Sequence, residues 1–259
     1  MARRLSATSF ISVLIAGLAW QPCGYTQDKP KSSSKVRGED SYASCYDNES
    51  GKLVGPDKRR TVVLKSPDGK FRAYAETEAV TQKRRDAHGP EDLECQNTSR
   101  LFVAGPTSHK FQQVMVVLPT SEFGDNSISL ADWSPKGHRL LIAEGKGGYG
   151  SDVGGIMIRI YDADSGKRSS ESFVVEAFRK HAGKECIGVY QPLGFSEDGG
   201  IVVEAGPYFD VGEEQPRADS CLPKEGVWLI GPKDDAIRQL PDNYKPKHYG
   251  KEAAREPAQ

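Results

Sequence analysis

Three stretches of the chain align without a gap: "VVLKSPDGKFRAYAE" from Val62, "SLADWSPKGHRLLIAEG" from Ser129 and "QPLGFSEDGGIVVEAG" from Gln191. Each carries an apolar run, then Ser-(Pro/Glu)-x-Gly, then apolar residues ending in Ala-Glu or Glu-Ala. Proline presets φ at the second turn position and glycine accepts a positive φ at the exit. Flanked by strand-like runs, each copy reads as a β-hairpin. One such turn constrains little. Three in frame, at Ser66, Ser134 and Ser196, make the chain a tandem of like units.

Further strand candidates follow each hairpin: 100–104 and 111–118, then 155–161 and 170–175, then 226–230 and 236–240. Each unit thus predicts a four-stranded antiparallel meander, the blade of a β-propeller. The fold class expected is all-β, a propeller-like array of three meanders over about 58–118, 127–176 and 187–241. The 27 glycines and 16 prolines agree with many turns and few long helices. No apolar helical stripe longer than two turns is evident after residue 20.

"SPDGK" at Ser66 to Lys70 and "WSPKGHRLLIAEG" at Trp133 to Gly145 resemble the propeller repeats of TolB-type, WD-like proteins of the periplasm. Similar repeats occur in the propeller domains of prolyl-oligopeptidase-like enzymes. The resemblance covers the inner hairpins well and the outer strands only generally; Glu197 replaces the proline in the third copy. It implies a blade fold and a binding role for proteins or peptides. Three units are fewer than a closed propeller uses. Residues 42–54 supplying a divergent fourth unit, two chains forming a six-bladed ring, and an open arc capped by loops all remain compatible with the sequence.

The N-terminus reads as an export signal over 1–19: Arg3 and Arg4, an apolar run from Phe10 to Ala19, and a small-x-small ending. That run is too short to span a bilayer, so no transmembrane segment is expected after cleavage. Residues 20–41 read as a polar linker, 42–245 as a single folded domain and 246–259 as a flexible tail. The expected location is periplasmic or secreted. A net charge of −1 offers no field for nucleic acid.

Cys23 falls in the linker, leaving Cys45, Cys95, Cys186 and Cys221, for which three pairings are possible. The repeat frame selects Cys45–Cys95 and Cys186–Cys221, because one member of each pair precedes the first strand of its unit and the other lies in that unit's second connection. A metal site using His88 with Cys95, or His181 with Cys186, is the rival reading, and no ligand spacing supports it.

With Ser-Pro-x-Gly joining strands one and two, the connections between strands two and three must emerge at the opposite end. They fall at about 78–99, 145–154 and 206–225, longer than ordinary hairpin loops, and loops of such length often carry function. Tyr149, Asp152, Tyr208, Phe209 and Asp210 lie in two of them and are the candidate ligand-binding residues. Trp133 and Phe195 hold equivalent positions before the turn and are expected in the core. Carboxylates at Glu91–Glu94 and Asp210–Glu214 suggest solvated loop charge before a Ca²⁺ site, and Asn48 and Asn97 match the glycan acceptor pattern.

No nucleophile elbow or phosphate loop is present, the histidines are dispersed, and no catalytic residue, cofactor or metal is assigned. The expectation is a non-catalytic binding or scaffold protein of the bacterial cell envelope, with a protein or peptide partner. A carbohydrate-recognition module or an envelope hydrolase of unrecognised type is the alternative.

Overall fold

The computed structural model describes residues 41–46, 52–83, 93–106, 108, 110–120, 124–147, 154–210, 213, 215–232 and 236–253. The expected signal sequence, most of the expected linker, Tyr149 and Asp152 lie outside them. The architecture is all-β, built from three antiparallel sheets that are not closed into a barrel.

The first sheet holds β1 (Asp57–Arg60), β2 (Leu64–Lys65), β3 (Arg72–Lys83), β4 (Leu93–Ala104) and β5 (Gln112–Val117). β1 and β2 pair with successive parts of β3 and act as one interrupted strand, with Thr61 N–H still bonded to the Ala75 carbonyl. The second sheet holds β6 (Asp125–Trp133), β7 (Arg139–Gly147) and β8 (Gly154–Asp162). After α1 (Phe173–Ala182), the third runs through β9 (Val189–Phe195), β10 (Ile201–Gly206), β11 (Gly226–Ile230) and β12 (Ile237–Gln239). β13 (Lys251–Glu252) returns to pair with β2.

The three Ser-Pro/Glu-x-Gly segments make like turns. The glycine N–H bonds the serine carbonyl at 2.9, 2.8 and 2.9 Å, and Gly69, Gly137 and Gly199 sit at φ +75°, +85° and +85°. The first two serines, both buried, cap their turns through Oγ from the N–H of Phe71 and Arg139. The third turn closes one residue earlier, at Gly200.

The second sheet lies between the other two. Leu140, Ile142 and Tyr161 on one of its faces share a core with Leu101 and Val103; Leu141 and Ile158 on the other pack with Val203 and Trp228. Neighbouring units are also bonded near the turns. The Trp133 indole N–H donates to the Leu64 carbonyl and its ring stacks on Phe71, while Arg139 donates to the Gly199 carbonyl over the Phe195 ring. Trp133 and Phe195 are both fully buried.

Three expectations need correction, and one open alternative is resolved. The second unit has three strands: 170–175 forms no strand there but leads into α1, because Val174, Ala177 and Phe178 make a buried i, i+3, i+4 stripe and Gly183 ends the helix at φ +67°. A single bridge, Tyr161 to Arg168, stands where the fourth strand was expected. Next, β3 and β4 pair through Lys83 and Leu93, so most of 78–99 is a hairpin arm; β7 and β8 similarly shorten 145–154, and the described residues of 207–225 hold no strand.

Residues 42–54 supply one bridge, Tyr46 to Leu53, and no fourth sheet among the described residues. Ala43 and Cys45 instead pack on Ala79 and Cys95 of the arm. Finally, the expected tail is tied down as far as Ala253. The buried Asp132 carboxylate accepts N–H bonds from Trp133, Tyr249 and Gly250, and Ala253 N–H bonds the Val63 carbonyl. The C-terminal segment thereby links the second unit to the first.

Candidate functional site

At the end of the strands remote from the turns, a cleft of about 420 Å³ opens between the second and third sheets. Five glycines at or beside strand ends contribute backbone to its wall: Gly145, Gly147, Gly154, Gly155 and Gly188. A Cβ on Gly188 would stand 2.7 Å from Tyr190 Oη and 3.2 Å from the Gly206 carbonyl oxygen, so a side chain there would have to displace its neighbours. Three apolar side chains on the rim stay substantially exposed: Tyr42 at 41%, Ile156 at 41% and Val189 at 52%. Isolated exposed apolar residues are ordinary, but these three stand around one concavity.

Tyr208 also lines the cleft. It is held from behind: its N–H donates to Ser220 Oγ, Ser220 Oγ–H donates to its carbonyl, and Arg217 N–H reaches the same carbonyl. The Arg217 guanidinium lies 5.8 Å from the Tyr208 ring centre. The C-terminal part of this loop is pinned by the Cys186–Cys221 disulfide and by the pairing of Ile187 with Ser220. Tyr190 forms the inner wall; burial pushes its phenol up to about 12, and its hydroxyl donates to Cys221 Sγ at 3.5 Å.

On the first unit's side, Cys45 and Cys95 form the second disulfide, fastening the segment that carries Tyr42 to β4. The two bridges close separations of 50 and 35 residues. Chain-entropy reasoning gives roughly 4 kcal/mol for loops of that size. A buried polar network completes the attachment. Ser41 Oγ–H donates to the Ile128 carbonyl, Asn97 donates to the Ala43 carbonyl, and Asn126 donates to the Asn97 carbonyl. Asn126 itself lines the cleft, and its Oδ1 is buried with no hydrogen-bond partner among the described residues.

Of the five sequence-derived candidates, Tyr208 faces the cleft. Phe209 is 43% exposed beside it and does not line it. Asp210 is paired with Arg217 at 3.3 Å. Tyr149 and Asp152 belong to the connection whose flanking residues, Gly147 and Gly154, both line the cleft. Tyr42, Ile156, Val189 and Tyr190 escaped the sequence reading. For Ile156 the available signal was its position at the loop-side end of a predicted strand, whereas Val189 precedes the predicted third hairpin.

Asn97 is fully buried and hydrogen-bonded, so the folded chain does not offer it as a glycan acceptor. His181 packs edge-on against Trp228 at 5.5 Å, and the half-cystines beside both metal candidates are oxidised. Among the described residues, no three His, Cys, Asp or Glu side chains gather at metal-binding distance, and no helix is long and apolar enough to cross a membrane. Burial raises the Asp132 carboxyl above its ordinary value, with three backbone N–H donors opposing the shift. That carboxylate is engaged in tethering the C-terminal segment. The chain matches no protein-family model and no curated protein sequence.

Proposed function

We propose that the protein is an exported, non-catalytic binding module of the bacterial cell envelope, which takes a short segment of a protein or peptide into the cleft between its second and third sheets. One observation carries the reading: Tyr42, Ile156 and Val189 remain exposed around a cleft at whose rim Tyr208 is fixed by a disulfide-pinned loop. An apolar or aromatic side chain of the ligand covers those residues. A peptide supplies such side chains on a short backbone. The two disulfides suit an oxidising compartment, in keeping with export. The repeated turns and stacked meanders support the resemblance to TolB-type propellers.

Magnitude limits the affinity. Such side chains yield about 1.5–3 kcal/mol each on full burial. Already about half covered, they supply a few kcal/mol together, and lost rigid-body freedom offsets much of that. The reading is therefore a weak, reversible contact with Kd of roughly micromolar or above.

Selection from a displayed random peptide library tests it, with the Val189→Glu and Tyr208→Ala variants used for counter-selection. Peptides rich in aromatic or aliphatic residues that bind the unmodified chain and lose at least roughly tenfold in affinity on both variants support the reading. Enrichment of the same peptides on all three proteins, or no enrichment from a library that selects on a control domain, removes the cleft as the site.

A further inference from the structure

A second cleft, of about 620 Å³, lies on the other side of the middle sheet, between β5 and the segment 166–171 that runs beside β8. Its floor is a chain of charges. Glu144 is 1% exposed and binds Arg159 Nε at 2.5 Å and Lys146 Nζ at 3.0 Å. A carboxylate that deep is tolerated because two cations compensate it. The consequence for Arg159 is orientation: its Nε edge is fixed on Glu144, its side chain is 11% exposed, and its Nη2 corner projects to Glu171.

Glu171 differs from Glu144 in one respect that matters. Its side chain is 54% exposed. It can leave by rotation about its own bonds, whereas Glu144 is locked. Lys167 and Arg168 line the same cleft, are exposed, and have no ion-pair partner among the described residues. With Glu171 in place the lining carries four cations against two carboxylates; with Glu171 turned out, four against one.

We infer that this cleft is an oxyanion-binding site whose seat on Arg159 is occupied by Glu171 until a phosphate or carboxylate group of a ligand displaces it. A guanidinium preset by one buried carboxylate, with a second corner held only by the exposed Glu171, is well suited to either group. Lys167 and Arg168 supply the remaining attraction, which salt screens. The inference rests on different residues from the peptide reading and stands or falls separately.

The test is calorimetric titration of the full chain, at low ionic strength, with inorganic phosphate and with glutarate. Comparison of the two probes tells whether phosphoryl or carboxylate chemistry is preferred. Glu171→Gln removes the internal competitor and is expected to tighten binding roughly tenfold, the equivalent of one charged hydrogen bond. Lys167→Ala/Arg168→Ala, which alters exposed residues only, is expected to weaken it roughly threefold or more. Thermal unfolding establishes that each variant is folded. A folded Glu171→Gln protein that binds both probes no better than the unmodified chain overturns the inference, as does a double alanine variant that binds as well as the parent.

Discussion

The two ends of the strands are built on different principles. At the turn end, three copies of one short sequence make nearly the same geometry, and each turn is completed by groups within five residues of each other. At the cleft end the described fastenings differ from unit to unit. There the chain relies on distant partners: two disulfides, the Ser41–Asn97–Asn126 network and the ladder through Ser220. Local chemistry can be repeated cheaply along a chain, so it fixes the frame. Surfaces that must differ from unit to unit are placed where only long-range fastening holds them.

That contrast can be broken at either end. Trp133 joins the first two units near the turns through both packing and its indole N–H, so Trp133→Ala is expected to cost about 3–5 kcal/mol in denaturant unfolding. Replacing Cys186 and Cys221 together by alanine is expected to cost about 2–4 kcal/mol. Unlike the tryptophan change, it should abolish peptide binding while unfolding remains cooperative, because Tyr208 loses its support. Asp132→Ala leaves the N–H groups of Tyr249 and Gly250 without their acceptor, at about 1–3 kcal/mol. Its signature is faster amide exchange confined to 249–253 and the β2 edge.

The smallest effect compares the turns with one another. Hydrogen bonds from Ser66 and Ser196, the largest cause in each case, hold Asp68 and Asp198 below the ordinary aspartate range of about 3.9. A lowered folded-state value means the contribution is complete above the unfolded value and is lost as pH falls through the folded one. The second turn carries Lys136 where the others carry aspartate. Acidification below about pH 4 is therefore expected to lower the protection of the Gly69 and Gly199 amides, relative to intrinsic exchange at the same pH, before that of Gly137.

The same division explains what could be read in advance. Ser66, Ser134 and Ser196 announce themselves because turn chemistry is local, and the repeat frame selects the cysteine couples that the structure joins. The arm of β3 and β4 was hidden by its inner residues. Thr77, Asn97 and Ser99 are polar, and they are buried because the segment around Ser41 arrives to bond them. Helix α1 was hidden by its shortness, with three buried residues in ten. Tyr42 and Val189 reach the cleft from opposite parts of the chain. Nothing in their neighbours records that meeting.

The central claim is that ligand recognition belongs to the end of the strands away from the repeated turns. Backbone amide shifts of the labelled protein, titrated with a peptide from the library selection, test it most directly. The expected result is perturbation at Ile156, Val189, Tyr190 and Tyr208, with Gly69, Gly137 and Gly199 unmoved. Shifts concentrated on the three turn glycines, with the cleft residues silent, would contradict the account.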